Sequence, residues 1–417
     1  MRLLIKGVWI RNPGERSLSG PTDILIEGNT ISHIGKLSPK RGFSTTEVIY
    51  ANDCTVIPGL INLHVHVTRR HLRFHSLSVP FREGAPEIEN SPDTKRILWA
   101  LQNVWTELGE GVTSFRDAGS KHCVSIELRE AFKQGLFEGP RLVACGEPIA
   151  MTGGHETHRY RGAREADGPF EVRKAVREQL RAGADWIKLM ASAGLGGMPE
   201  REHPAFTEFS LDELQAGVEE AHKRERRVMA HAMSDDSVRL SLEAGVDCIE
   251  HGIYMSETTL SMLSELGRAF VPTLSGIVMV YERERAAGHE SFAELLLEQV
   301  ILPHRRVVSQ AIKREVLIGT GTDTLGNITD EIRLLIECGM TPGQALRAAT
   351  IDSAKILGLE SEIGTIEEGK RADLVVLKAD PLEDLEAYRR VEEVIFDGRR
   401  LTESCPRSLF RNLQNRK

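Results

Sequence analysis

No apolar run in this sequence is long enough to cross a bilayer, no segment gathers its basic residues into a patch or tail, and no two cysteines form a CxxC pair. The first absence excludes a membrane-spanning helix. At the N-terminus, Lys6 and Arg11 interrupt MRLLIKGVWIRNPGE too early for the core of a signal peptide, so the chain reads as cytoplasmic. The second absence, with 61 acidic against 53 basic residues and a formal charge of -8, argues against nucleic acid as a partner. Cys54, Cys123, Cys145, Cys248, Cys338 and Cys405 lie far apart, which indicates neither a disulfide framework nor a zinc knuckle. No GxGxxG follows an early strand, and no repeat or low-complexity segment interrupts the chain.

What remains is a globular composition, 41% hydrophobic and 27% charged over 417 residues, enough for one large domain and a smaller one. The opening alternates as short strands broken at Gly and Asn: LLIKGVWI, DILIEGNTISHIG, EVIYA and CTVIPG. From Leu60 the rhythm changes to short apolar runs separated by amphipathic stretches, the mark of β/α units around a parallel sheet. Eight strands are expected, at 60–66, 112–118, 141–145, 185–190, 227–232, 247–251, 269–274 and 316–323. Helix starts are legible between them, as in Ser210 with Glu213 and Thr341 with Gln344. The pattern predicts an α/β fold, a (β/α)8 TIM-type barrel over residues 59–364. GTIEEGKRADLVVLKADP and VEEVIFDG return to the opening β pattern, so residues 1–58 and 365–417 are expected to form one small β-sandwich domain from both termini.

Polar residues intrude on these strands in a pattern that carries chemistry. His64 and His66 are two apart on the first barrel strand and share a face, as two imidazoles of a metal clamp would. Lys188 sits inside the apolar run DWIKLM, where an ammonium is costly without a partner. Either a salt bridge, for instance to Asp185, or conversion of the amine by carbon dioxide to an anionic carbamate would account for it. His231, His251 and Asp323 end the fifth, sixth and eighth strands, at the barrel mouth where such folds place their active sites. On the Asp323 face, Gly319 and Gly321 are expected to leave space around the carboxylate.

These motifs, PGLINLHVH, VTSFRDAG, MAHA, IEHG, GTD and GTIEEGKRADLVVL, resemble the amidohydrolase superfamily over nearly the whole chain. TGGHE, ADWIKLMASAG and EAGVDCIEHGIY look most like the branch of imidazolonepropionase-related proteins, Xaa-Pro dipeptidases and lysine or arginine carboxypeptidases. The resemblance implies a two-metal site. In it His64, His66 and Asp323 bind the more buried ion, His231 and His251 the outer one, and carbamylated Lys188 bridges the two. It also implies a homo-oligomer. Such donors suit zinc by default, with manganese or iron left open.

Metal-acidified water would then attack an amide-type carbonyl, with Asp323 as proton acceptor. In the resembled branch a histidine at the position of His155 contacts the substrate, so His155 is a second catalytic candidate and a substrate-binding one. Tyr254, Arg116, Arg159 and Arg161 are candidates to bind a substrate carboxylate. The expected substrate is a small molecule with a free carboxylate, a dipeptide or N-acyl amino acid. A cyclic-amide, imidazolone or xenobiotic amide hydrolase is the alternative enzyme, and a barrel without catalysis the alternative class. A one-metal deaminase would leave Lys188 unexplained. The segments 67–90 and 155–168 match no shared pattern and leave the substrate open.

Overall fold

The computed structural model of the protein describes residues 2–15, 17–37, 46–69, 91–157, 162–196, 198 and 203–401. It divides into two compact units, one of Met1–Asn62, Val104–Ser114 and Met340–Lys417, the other of Leu63–Asn103 and Phe115–Gly339.

The first unit opens with strands β1 (Arg2–Ile10), β2 (Ser19–Glu27), β3 (Thr30–Ile34), β4 (Thr46–Tyr50) and β5 (Thr55–Pro58). In the second, β6 (Leu60–Val65), β7 (Val112–Asp117) and β8 (Arg141–Ala144) are hydrogen-bonded in that order, the first two beginning in the first unit. A short pair, β9 (Ile149–Ala150) and β10 (Arg164–Glu165), precedes β11 (Trp186–Met190), β12 (Arg227–Ala232), β13 (Cys248–His251) and β14 (Ala269–Val271). The chain closes with β15 (Leu374–Leu377), β16 (Val391–Phe396) and β17 (Arg399–Arg400).

In the first unit both chain ends enter one eight-stranded sheet, ordered β17-β16-β15-β5-β1-β2-β3 with β4 on β1. Its seam is β5 against β15, antiparallel, with Val56 opposite Val376. Leu3, Ile5 and Val8 of β1 pack with Ile24 and Ile26 of β2 and Leu374 and Val376 of β15 in a buried apolar cluster. Arg11 and Asp380 meet inside this unit, Nε donating to Oδ1 at 3.1 Å and Nη2 to Oδ2, both side chains nearly enclosed.

In the second unit β9 to β14 are parallel. Helices lie between them, and several begin on a side-chain cap. Ser210 N donates to Glu213 Oε2 at 2.9 Å before helix Leu211–His222, and Ser234 caps Asp235–Ala244 by accepting from Ser237 N. Helices Gly168–Ala182 and Asp235–Ala244 end on Gly183 and Gly245, both with positive φ. None of the helices among the described residues is long and apolar enough to cross a membrane.

Seven of the eight expected strands appear within a residue or three of their expected bounds. The eighth, 316–323, is reduced to parallel bridges of Ile318 to Phe270 and Asp323 to Val65. Its reason is local, since Gly319 and Gly321 loosen the run and Asp323 takes a left-handed φ of 53°. The β9 and β10 pair was not legible, being only two residues long on each side.

Breaking the Arg11 and Asp380 pair tests this assembly of the chain ends. Asp380→Ala strands a buried guanidinium and is expected to destabilise the protein by about 3 kcal/mol, read from its urea midpoint. A loss under about 0.5 kcal/mol, the range of ordinary surface substitutions, would mean the pair contributes little.

Candidate metal centre

Parallel pairing sets the side chains of the second unit in register before any of them interacts. Lys188 lies opposite Met229, Met190 opposite His231 and His231 opposite Glu250, so Lys188, His231 and Glu250 share a face. His251 directly follows Glu250 and would point the other way in a regular strand. Its left-handed φ of 73° turns the chain at that residue, and its ring lies 4.8 Å from that of His64 and 4.6 Å from that of His231. Asp323 is placed in a similar way, with Thr322 N and Asp323 N both donating to His64 O at 2.9 and 2.8 Å. His251, Thr273 and Asp323 are three non-glycine residues with positive φ, gathered at one place.

One donor atom from each of His64, His251 and Asp323 lies within 4.8 Å of the others. His66 Nε2 is 3.7 Å from Asp323 Oδ1, and the His155 ring stacks on His231 at 4.4 Å. Lys188 is buried on β11, near enough for its charge to act on His64, His231 and His251. The six residues singled out from the sequence as ligands therefore cluster at one end of the parallel strands.

Each imidazole has one nitrogen already engaged. His64 Nδ1 donates to Glu250 Oε2 at 2.6 Å, and Arg116 Nη2 donates to the other oxygen, Oε1, at 2.7 Å, which keeps that carboxylate an acceptor. His66 Nδ1 donates to Gly119 O at 2.9 Å. Thr273 spends its single hydroxyl proton on Pro272 O at 2.6 Å, so at 2.7 Å it accepts from His251 Nδ1. His231 is reversed, with Nε2 donating to Ala193 O at 3.3 Å. The second nitrogen of each ring is Nε2 on His64, His66 and His251, and Nδ1 on His231. Burial holds His64, His231 and His251 well below the ordinary imidazole value and His66 at about 3. Neutral imidazoles with fixed tautomers and a carboxylate are the donor set of a divalent transition ion, so the residues present fit such an ion.

Other expectations from the sequence meet different surroundings. Arg116 is fully enclosed: besides Glu250 it donates through Nε to Leu63 O at 2.7 Å and lies 4.5 Å over the Trp186 ring. Its guanidinium is committed beneath His64 and presents nothing to a substrate. The Tyr254 hydroxyl donates to Gln299 O at 2.8 Å, in the π-helical turn Leu297–Ile301, and its half-buried ring packs into an apolar cluster. Arg159 and Arg161 lie outside the described residues. His155 is buried beside His231, and Gly194 makes room for it, since a Cβ there would stand 2.1 Å from His155 Cε1. Gly321 has the same purpose for His64, whose Cβ a side chain would meet at 2.7 Å. The space at Gly321 is thus filled by His64 instead of being left for ions.

Sequence reasoning passed over Glu250 and Thr273. Glu250 carried the same signal as Lys188, a charged residue in an apolar strand.

Residues 55–401 match the amidohydrolase family. Over 412 residues the chain is 29% identical to an ochratoxinase of Aspergillus niger, covering 92% of this chain and 82% of that protein. It superposes on a crystal structure of a Xaa-Pro dipeptidase with methionine bound in the active site, TM-score 0.85 and 28% identity over 96% of this chain and 99% of that one. A prolidase complexed with N-methylphosphonate-L-proline gives a TM-score of 0.84 and 29% identity, covering 96% and 100% of the two chains.

Two measurements test the site itself. Glu250→Gln replaces one acceptor oxygen with an N–H donor facing either His64 or Arg116. It should weaken divalent-ion binding by about 10–100-fold in chelator competition, and unchanged affinity would remove Glu250 from the centre's support.

Acid should also destabilise the metal-free protein. The four rings have folded pKa values depressed below the ordinary 6.5, so the unfolded chain binds more protons as pH falls through that value. Stability is then lost on acidification, at up to about 1.4 kcal/mol per ring per pH unit. Urea midpoints should fall steeply below about pH 6.5. A flat profile from neutral pH down to about 5 would show that the rings take up protons without unfolding.

Proposed function

Because the chain belongs to the amidohydrolase family, we propose that it is a binuclear metal-dependent hydrolase of an amide-type C–N bond whose leaving amine is an amino acid with a free carboxylate. Hydrolysis of amide-type bonds is common ground with its relatives, and the branch is that of Xaa-Pro dipeptidases and prolidases. The observation that carries the finer reading is the set of four buried imidazoles, gathered with Asp323 and each oriented by a hydrogen bond through one ring nitrogen.

We read the parallel strands as a (β/α)8 barrel over residues 59–364, with a small β-sandwich from 1–58 and 365–417. Support comes from main-chain bonds between successive runs: Asp185 N to Ala144 O at 2.8 Å, Gly319 N to Phe270 O at 3.0 Å and Leu63 N to Thr320 O at 2.8 Å. His64, His66 and Asp323 would hold one ion, His231 and His251 a second, zinc by donor type, and Lys188 as its carbamate would join them. Burial lowers the pKa of the Lys188 amine, which favours the neutral form that adds to carbon dioxide. Bound ions of this kind acidify water and polarise a carbonyl.

The chain's own residues perform the remaining work. Asp323, whose side chain is 34% exposed while the ligand imidazoles are buried, takes a proton from water and returns it to the leaving nitrogen. His155, stacked on His231, orients the carbonyl or the carboxylate end of the substrate. The dipeptidase and prolidase likenesses support a dipeptide, Xaa-Pro or one ending in Lys or Arg, or an N-acyl amino acid.

Elemental analysis of the purified protein should find about two divalent ions per chain, and one would remove the binuclear arrangement. A dipeptide and N-acyl amino acid library, screened by amine release, should yield substrates. Amidation of a good substrate's carboxylate should lower kcat/KM at least about tenfold, or roughly 1.4 kcal/mol. Equal rates on acid and amide would favour a cyclic or xenobiotic amide instead.

A further inference from the structure

Helix Leu274–Ala286 begins in an unusual way. Its N-cap residue is Thr273, a type that normally sits in extended conformation and turns its hydroxyl onto the helix's first free N–H groups. Here Thr273 has φ 56° and ψ 40°, and its side chain makes no cap bond. Its hydroxyl faces the other way, accepting from His251 Nδ1 at 2.7 Å and donating to Pro272 O at 2.6 Å. The N–H groups at the helix start would then be buried without partners, which is costly. They are satisfied from another helix. Glu331, fully buried on Ile328–Glu337, accepts from Leu274 N through Oε1 at 3.1 Å and from Ser275 N through Oε2 at 2.7 Å.

We propose that Glu331 is a positioning residue for His251: by capping the Leu274–Ala286 helix in place of Thr273, it frees the Thr273 hydroxyl to fix the His251 ring with Nε2 towards the metal centre. Neither the family match nor the likenesses assign such a role to this position. The inference rests on the metal-centre reading above, but not on the substrate. The start of the helix is also closely packed. A Cβ at Gly276 would stand 2.9 Å from Asp323 Cβ, and one at Gly326 would stand 2.2 Å from Ser275 Oγ. The helix start is therefore pressed against the loop that carries Asp323, so Glu331 ties the setting of His251 to that of Asp323.

The test is a cycle of Glu331→Gln and Thr273→Val, with Thr273→Ser as the conservative control. Glutamine offers one oxygen where two N–H groups need acceptors, so Thr273 should rotate back to cap its own helix and release His251. Two readouts are used on purified protein. The first is zinc affinity by chelator competition, expected to fall about 10–100-fold in Glu331→Gln and in Thr273→Val, and to stay near wild type in Thr273→Ser. The second is the pair of His251 imidazole nitrogen shifts in the metal-free protein, expected to move from one tautomer to a mixture in the first two variants.

The double variant should bind zinc no more weakly than Thr273→Val alone, since both act through one contact. Losses that multiply in the double variant would overturn the proposal. So would a Glu331→Gln protein of lower Tm with unchanged zinc affinity and His251 shifts. Should Glu331→Gln fail to fold, unchanged His251 shifts in Thr273→Val would overturn it equally. If the amide reading fails, zinc-loaded wild type hydrolyses no library member while these affinities and shifts are unaffected, so the two failures are distinguishable.

Discussion

A buried carboxylate with two oxygens and two obligations governs the centre of this protein. Glu250 is enclosed, and one oxygen answers the Arg116 guanidinium while the other answers the His64 ring. Take away the cation and the carboxylate would be stranded at a cost of several kcal/mol. Take away the carboxylate and Arg116 is stranded in turn. The pair is held over the Trp186 ring and by Leu63 O, so strands β6, β7, β11 and β13 all contribute to the setting of one imidazole.

The second requirement falls on the backbone. Glu250 and His251 are neighbours in sequence, yet both are needed on the same side of the sheet, and a regular strand forbids that. A left-handed φ at His251 resolves the conflict, and Thr273 and Asp323 adopt comparable conformations. Such positions cost on the order of 1–3 kcal/mol each. They persist because surrounding hydrogen bonds leave no alternative, among them Gly252 N to Ala232 O and the two amides that converge on His64 O.

Much of this was legible in the sequence because period-two alternation and strand-end position are local signals. His64, His66, His231, His251 and Asp323 all interrupt or end apolar runs, and the structure gathers them with Lys188. Less was legible where the meaning of a residue depends on a distant partner. Arg116 reads as a spare cation until Glu250 is found 134 positions away. Tyr254 reads as a substrate contact until Gln299 takes its hydroxyl. Thr273 and Glu331 gave no signal at all, since a threonine before a helix suggests a cap and a helical glutamate suggests a solvated face. An eighth strand was expected from its apolar run, but its glycines and the turn at Asp323 leave only bridges.

The seam between β5 and β15 has a consequence for how the chain is made. In the eight-stranded sheet β15 covers one side of β5, yet it is encoded about 300 residues later. At roughly 5–20 residues per second on the ribosome, the edge formed by Thr55, Val56 and Ile57 waits some 15–60 s for its partner. An uncovered apolar strand edge is a template for pairing with the wrong chain. During synthesis the earliest strands are thus the last to be completed, and the interval before β15 emerges is when nascent copies are most prone to join one another.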